Sequence, residues 1–403
     1  MTETHAGILS GIRVLDFGRY VAGPYCATLL AEFGAEVIRI EKLAGSEDRY
    51  VTPLDAPDGP AGGVGAMFLQ MNRNKRGMTL NPMKPEGRAV MARLIASADV
   101  VVANLPAPGL AAMGLDHASL RAIKPDIILA TMSTFGTGGP YSDRVGFDGL
   151  GQTMSGAAHL SGENGVPAKS IAVFVDFGTA MMSAFGVLLA LRHRDRTGEG
   201  QVVEGALLRT AITMMNSYII EQAIIAPDRV GTGARSQIAG PSDYVRAANG
   251  WFMTQVVGDP LFARWARMIG RPEMIEDPRF STDAARGRNG AALSALANAH
   301  AGALTLDEAV AAYAAAGVPA GPVLTPQQVL DDPHVAAMGF LTRLAHPGLA
   351  APAPLASAPI SLSATPGAVR TPAPALGADT DAILGDLGYD GAALADLRAK
   401  RVI

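Results

Sequence analysis

An α/β protein, with a large open parallel-sheet domain of Rossmann type and a smaller α/β domain, is what the sequence predicts. Three observations carry that prediction. Residues 12–41 read strand, helix, strand within about thirty residues, the length of a βαβ unit. The same alternation returns at 85–103 and 115–132. A Gly-, Pro- and Arg-rich stretch at 226–243 then separates a hairpin and helices of their own.

In chain order, IRVLDF at 12–17 is a short apolar strand, broken by Tyr20 to Pro24. Tyr25, Leu29, Leu30 and Phe33 share one face of a helix that Gly34 ends. A second strand follows at 35–41, and such a crossover implies parallel pairing with a right-handed connection. Helices are expected at 85–98 and 115–123, and strands at 99–103 and 126–132. An apolar helical pattern runs from Phe177 to a basic end near Arg196; after a turn at 197–201, residues 202–225 read helical. Asn249-Gly250 turns a hairpin at 244–253, and helices are expected at 260–269 and 306–316. From 325 to 376 the chain is rich in Pro and Ala and reads as a long extended crossing segment before short helices at 380–387 and 392–400. The domains expected are 1–205 (large), 206–240 (linker), 241–325 (small), 326–360 (extended linker) and 361–403 (C-terminal segment).

At 403 residues and 49% hydrophobic content the chain has material for more than one core. Its net charge of −4 gives no overall pull toward nucleic acid or anionic membrane, so an anionic ligand needs a local basic site. Cys26 is the one cysteine, which excludes an intrachain disulfide and fits a reducing, cytoplasmic compartment. No leader-like pattern opens the sequence, and the apolar stretch at 181–191 is shorter than the ~20 residues a spanning helix needs. The expectation is a soluble protein with neither membrane nor nucleic-acid partner.

Open α/β sheets bind ligands beyond the carboxyl ends of their strands. Three loops follow strands there: Arg19 to Pro24, Asn104 to Pro108, and the glycine-rich STFGTGGP at 133–140. No G-x-G-x-x-G follows the first strand, which argues against a dinucleotide redox cofactor. Arg73, Lys75 and Arg76 form a compact basic run in a mildly acidic chain: a solvated face, or a phosphate site using charge-assisted bonds. Asp176, in SIAVFVDFGTAMM, stands where an apolar run meets a helix. It reads either as an ordinary N-cap or as a carboxylate held for chemistry. Asp148, beside Gly149, has a turn or cap role as its alternative.

Several stretches resemble the class III coenzyme A transferases, the family of formyl-CoA transferase, carnitine CoA-transferase and α-methylacyl-CoA racemase. They are GIRVLDFGRYVAGPYCATLLAEFGAEVIRIEK, NRNKRGMTLN, ADVVVANLPAPGLAAMGL, STFGTGGPYSDRVGFDGLGQTMSG and AGVPAGPVLTPQQVLDDPHVAAMGF, in that order. The resemblance implies that Asp176 is a nucleophile that attacks an acyl-CoA thioester and forms an aspartyl mixed anhydride, then an aspartyl-CoA, with no permanently bound cofactor and no metal. Asp148 falls where the family has a second acid near the site. Lys42, Asn72, Lys75, Arg76 and Asn104 match CoA-binding positions. The resemblance also implies a C-terminal part that returns to the large domain and an interlocked-ring homodimer. The substrates implied are an acyl-CoA and a free carboxylic acid.

Two departures sharpen this. The racemase branch carries a histidine before the second acid; here Phe147 stands there and moves no proton, which weakens the alternative of an acyl-CoA racemase or isomerase. His159 nearby could substitute only by a shift of geometry, and a lone histidine beside a glycine-rich loop reads first as a surface or hydrogen-bonded residue. Formyl-CoA transferase has a glutamine before its AGP turn where this chain has Val21, so formyl and oxalate are doubtful substrates. Arg19 reads either as a partner for a substrate carboxylate or as one half of a surface salt bridge.

Overall fold

The computed structural model describes residues 7–54, 63–347 and 349–403. They divide into two units: 1–155, 170–219 and 338–403 form the first, 156–169 and 220–337 the second.

The first unit begins β1 (Arg13–Asp16), α1 (Ala22–Glu32), β2 (Glu36–Glu41), α2 (Ala66–Asn72), β3 (Lys75–Thr79), α3 (Pro85–Ala96) and β4 (Val100–Ala103). It continues with α4 (Ala107–Met113), α5 (His117–Ile123), β5 (Ile128–Ser133) and α6 (Asp148–Met154). After α7 (Ala157–Leu160), which belongs to the second unit, come α8 (Phe174–Thr197), β6 (Val202–Ala206) and α9 (Leu207–Ile225), whose residues from 220 on belong to the second unit. The six strands form one sheet in the order β3-β2-β1-β4-β5-β6, and every pair is parallel. The order reverses between β1 and β4, the place where such sheets open a crevice for ligands. β4, VVVA, is buried along its whole length, as a strand covered on both faces must be.

One face of the sheet packs under α1 and α8. Their contact is made of small residues, among them Ala27, Ala31, Ala180 and Ala184, which lets the two helices approach closely. The other face packs Leu15, Ile38, Val101 and Leu129 against α3, α5 and the C-terminal helices.

The second unit holds an antiparallel sheet of β7 (Ser242–Ala247), β8 (Gly250–Gln255) and β9 (Ala320–Pro322). Around it are α10 (Asp259–Met268), α11 (Asp283–Arg288), α12 (Gly290–Ala301) and α13 (Leu306–Ala315), then α14 (Pro326–Asp331) and α15 (Pro333–Ala337). Phe252, Trp265 and Tyr313 fill its core. The chain re-enters the first unit with the hairpin β10 (Leu341–Leu344) and β11 (Ala353–Ala356), then α16 (Thr380–Asp386) and α17 (Gly391–Ala399).

Several sequence expectations change here. Residues 202–225 are strand β6 followed by helix α9, so the linker expected at 206–240 is largely helix. The basic run holds a strand, β3, which its charges concealed. The extended linker expected at 326–360 carries two short helices and a hairpin, and the return to the first unit begins at 338 rather than 361. Helix α8, at 24 residues, is long and apolar enough to cross a membrane by length and composition, against the shorter stretch expected. One of its faces is buried on α1 and the sheet; Met182, Phe185 and Leu189 on the rest are exposed.

Candidate active site

Asp176 sits in the first turn of α8, whose N-cap position is Val173. The capping carboxylate is another one. Asp148, at the start of α6, accepts from Val175 N–H at 2.8 Å and from Asp176 N–H at 3.1 Å through Oδ2. Its Oδ1 accepts from Gln152 Nε2. Gln152 is itself buried and reaches across with Oε1 to Ser170 N–H at 2.8 Å, so one side chain ties α6 to the segment that leads into α8. Asp148 thus fills the helix-start role expected for Asp176, and its own carboxylate is occupied by donors. The N-cap reading of Asp176, in which the N–H groups at the helix start would favour its ionised form, is corrected. Burial first, and then the negative charge of Asp148, push the Asp176 carboxyl up to about 7.

Aromatic rings close the surroundings. Tyr25, at the start of α1, meets Phe177 edge to face at 4.8 Å. Tyr20 meets Phe147 in the same way at 5.4 Å. Tyr20 has φ +60°, a left-handed backbone that a bulky residue seldom adopts, so the loop after β1 is held under constraint there. Phe147 presents hydrocarbon beside Asp148. His159 lies on α7 in the second unit, its Nε2 3.2 Å from the Arg229 carbonyl oxygen. The glycine-rich loop after β5 is tied to β6: Glu204 accepts from Thr137 N–H at 3.0 Å and from Thr137 Oγ1 at 2.7 Å.

The basic run is built differently from a phosphate site. The Lys75 ammonium is fully buried and donates to Asp16 Oδ2 at 2.7 Å, the Pro24 carbonyl at 2.8 Å and Asn72 Oδ1 at 3.0 Å. Its three donors are spent, so the phosphate contact expected of Lys75 is not available in this arrangement. Burial lowers Lys75 to about 8 against the pull of Asp16. Asn72 is buried too, its amide taken by Lys75 and the Phe68 carbonyl. Arg76 pairs with Glu36 at 2.6 Å and with Asp386 at 3.3 Å, joining the sheet edge to α16. Arg73 pairs with Glu32, and Asn74 accepts from Arg370 N–H and Thr371 N–H at 2.7 and 3.0 Å. The run is therefore a hub that fastens the returning C-terminal arm and the loop after β1.

A cavity of about 630 Å³ opens beyond the carboxyl ends of β1, β2 and β3. Phe17, Ile40, Leu80, Met83 and Met113 give it an apolar lining, with Arg19, Lys42, Lys84 and Arg401 as its cations. Lys42, expected at a CoA contact, is exposed at its edge and paired with Glu47. Arg19 turns its guanidinium onto the Phe17 and Gly18 carbonyls, at 2.9 and 2.8 Å, rather than outward as a free carboxylate partner. Asn104 clamps this loop across the β1–β4 crevice: Oδ1 accepts from Arg19 N–H at 2.6 Å and Nδ2 donates to the Arg19 carbonyl at 2.8 Å. Its amide is used in positioning. Lys84 and Arg401 escaped sequence reasoning; a lysine directly after a Pro-Met turn and an arginine near a C-terminus carry no local signal. Among the described residues no group of three His, Cys, Asp or Glu side chains stands together to hold a metal ion.

The sequence profile of CoA-transferase family III matches residues 9–380. The chain is 35% identical over 398 residues to succinyl-CoA–D-citramalate CoA-transferase of Chloroflexus aurantiacus, covering 98% of both chains. It is 32% identical over 387 residues to succinate–glutarate CoA-transferase of Agrobacterium fabrum, covering 94% of this chain and 95% of that one. The crystal structure of a CAIB/BAIF family protein from Brucella suis superposes with a TM-score of 0.81 at 31% identity, over 95% of this chain and all of that one.

Proposed function

The chain belongs to CoA-transferase family III, and we propose that it moves CoA between the thioester of a small dicarboxylic acid and a second, free dicarboxylic acid, with Asp176 as the covalent carrier. The enzyme class itself, transfer of CoA between an acyl-CoA and an acid, follows from the family and from relatives that match nearly end to end. The dicarboxylate assignment rests on the names of those relatives, which share succinate or its CoA ester.

The observation that carries the mechanism is the contrast between the two carboxylates. Asp148 is tied by three donors and cannot turn toward a substrate without uncapping α8. Asp176 is half-buried, beside an apolar aromatic wall, and raised to about 7. A carboxylate with this affinity for a proton is a stronger nucleophile than an ordinary aspartate, and about half of it is ionised near neutrality. In the proposed cycle an Asp176 oxygen attacks the thioester carbonyl. The C–S bond breaks, CoA leaves as its thiolate, and a mixed anhydride remains. The thiolate attacks the Asp176 carbonyl of that anhydride, releasing the first acid as its carboxylate and leaving an aspartyl-CoA thioester. The second acid's carboxylate attacks this thioester and expels the thiolate again. Attack of the thiolate on the new acyl carbonyl gives the product thioester and restores Asp176. Every step exchanges one oxygen or sulfur nucleophile for another, so no net proton is taken up.

The cavity beyond β1–β3 is the proposed seat of the CoA nucleotide, with Lys42 and Lys84 at its edge; Arg19 lines it, and the next residue, Tyr20, packs on Phe147 beside Asp148. An apolar floor with cations at the rim suits a nucleotide that carries phosphates. A homodimer belongs to the same proposal. Met182, Phe185 and Leu189 expose an apolar stripe on α8, and a second copy is the partner that the family resemblance implies. A cytoplasmic location is part of it as well, because succinyl-type CoA esters are intracellular metabolites and the one cysteine is a buried thiol.

The test is a panel of succinyl-CoA with C4 and C5 dicarboxylic acids, CoA esters being followed by mass spectrometry, together with borohydride or hydroxylamine trapping mapped to peptides. A label on the Asp176 peptide with transfer among the acids is expected. Transfer with no label on that peptide would remove Asp176 from the covalent role. Exchange of the α-proton in deuterated water without transfer would replace the whole reading.

A further inference from the structure

We propose that Arg401, in the C-terminal turn, binds the ribose phosphate of the CoA nucleotide, so that the end of the chain forms one wall of the acyl-CoA site. This rests on the reading of the β1–β3 cavity as the nucleotide site.

The first observation is the backbone. Helix α17 ends at Ala399 with Lys400 as its C-cap, and Arg401 follows with φ +54°. Arg401 N–H bonds to the Arg398 carbonyl at 2.8 Å, and Val402 N–H to the Leu397 carbonyl at 2.9 Å. These are the two bonds of a Schellman motif, and Arg401 occupies the position where glycine is the usual residue. A side chain there is strained, because a left-handed backbone brings Cβ close to the following carbonyl oxygen. The surroundings enforce the conformation: Val402 is buried in the same core as Leu397 and Leu384, and its carbonyl accepts from Asn81 N–H at 2.8 Å. Glycine would make the same turn more cheaply, so the strain points to the side chain.

The second observation is where that side chain goes. Arg401 lines the cavity beside Asn81, Pro82, Met83 and Lys84. The other cations there already have partners. Lys42 is paired with Glu47, Lys84 donates to the Lys400 carbonyl, and Arg19 donates to Phe17 and Gly18. Among the described residues, Arg401 is the cavity cation whose guanidinium has neither a carboxylate nor a carbonyl partner. A guanidinium offers a planar fork that matches a phosphate monoester in a bidentate fashion, and a dianion is the group best able to use it. In CoA that dianion is the phosphate on the adenosine ribose. The Lys84–Lys400 and Asn81–Val402 bonds fasten the turn to the loop after β3, so the fork is presented from a fixed support.

The experiment compares succinyl-CoA with its 3′-dephospho analogue as substrates for wild type, Arg401→Gly, Arg401→Lys and Ala44→Trp. Ala44 also lines the cavity, and an indole there fills it. Arg401→Gly suits the positive φ, so its thermal midpoint should equal or exceed that of wild type. Its KM for succinyl-CoA should rise by about tenfold, the size expected for one charge-assisted contact. Its KM for the dephospho ester should stay as in wild type, and kcat should hold for both. Arg401→Lys should keep part of the discrimination. Ala44→Trp should raise KM for both esters. If Arg401→Gly leaves the discrimination intact while Ala44→Trp raises both KM values, the role of Arg401 is refuted and the cavity reading stands. If Ala44→Trp leaves both KM values unchanged, the cavity is not the nucleotide site and the proposal falls with it. A loss of stability in Arg401→Gly with discrimination retained would make Arg401 a structural residue.

Discussion

Replacing Asp176 with Asn should abolish transfer and, at the same time, stabilise the protein in a pH-dependent way. The carboxyl has an ordinary value of 3.8 and is held at about 7 in the folded chain, a gap of 7 − 3.8, about 3 units. Each unit corresponds to about 1.4 kcal/mol, so the ceiling on the effect is about 4 kcal/mol. The sign follows from proton binding. A raised folded-state pKa means the folded state holds the proton more tightly than the unfolded one. Below about pH 4 both states are protonated and nothing is lost. Between about 4 and 7 the unfolded state ionises first, and wild-type stability declines as pH rises. Between pH 5 and pH 8 the ceiling on that decline is about 2.6 kcal/mol from the same two values. Asp176 keeps some contact with solvent, which screens the charge, so the expected figure is about 1–2 kcal/mol. Asn has nearly the same shape and does not titrate. Urea unfolding of both proteins at pH 5 and pH 8, at one fixed protomer concentration, reads the difference. The Asn variant should gain on wild type by that amount at pH 8 relative to pH 5. Equal differences at the two pH values, or a variant that loses ground at pH 8, would refute the raised proton affinity and with it the account of how Asp176 is made nucleophilic.

Three further outcomes follow from the same geometry. The kcat/KM of wild type should rise with pH and level off above about 7, and Asp148→Asn should move that rising limb to lower pH by removing the charge that faces Asp176; a limb that stays in place would show that burial alone sets the value. Lys75→Met should lower unfolding stability by about 3 kcal/mol, because it leaves buried Asp16 with Arg39, 3.6 Å away, as its cation and the Gly18 N–H as its donor, while KM for the CoA ester changes less than about twofold in the folded enzyme; a large KM increase at unchanged stability would restore a ligand role to Lys75. Phe185→Glu on the exposed stripe of α8 should reduce the sedimentation mass from dimer to monomer or yield insoluble chain, and a wild-type-like dimer would place the interface elsewhere.

The parts of this molecule that were legible in the sequence are those whose cause is local. The β1–α1–β2 unit could be read because apolar spacing and Gly34 act within a few residues of the elements they specify. The basic run failed the same treatment for a physical reason. Three cations within four positions look like a solvated face, and the partners that bury them come from far along the chain: Asp16 for Lys75, Glu32 for Arg73, Glu36 and Asp386 for Arg76. No window around residue 75 contains those carboxylates. The charges therefore read as a solvated face or a phosphate site, although the same charges, once paired, allow β3 to sit at the edge of the sheet and hold the returning arm.

The site divides along the same line. A local reading can place Asp176 at a helix start, and there the nearest inference is that the helix holds it ionised. The structure reverses that inference because the free N–H groups of the helix are claimed by Asp148, 27 and 28 residues earlier, under the hand of Gln152. With its donors taken, Asp176 is left with burial and a like charge, and both raise its affinity for a proton. Two carboxylates that are indistinguishable in composition thus receive opposite tasks from their surroundings: one is fixed as an anionic cap and the other is left available to react. After burial, the charge of the cap is also what raises the proton affinity of the second carboxylate. Loss of Asp148 should therefore impair catalysis through the geometry of residues 170–176 and through the reactivity of Asp176 together, and the conservative Asp148→Asn change, which keeps an oxygen acceptor for the N–H groups but removes the charge, separates the two.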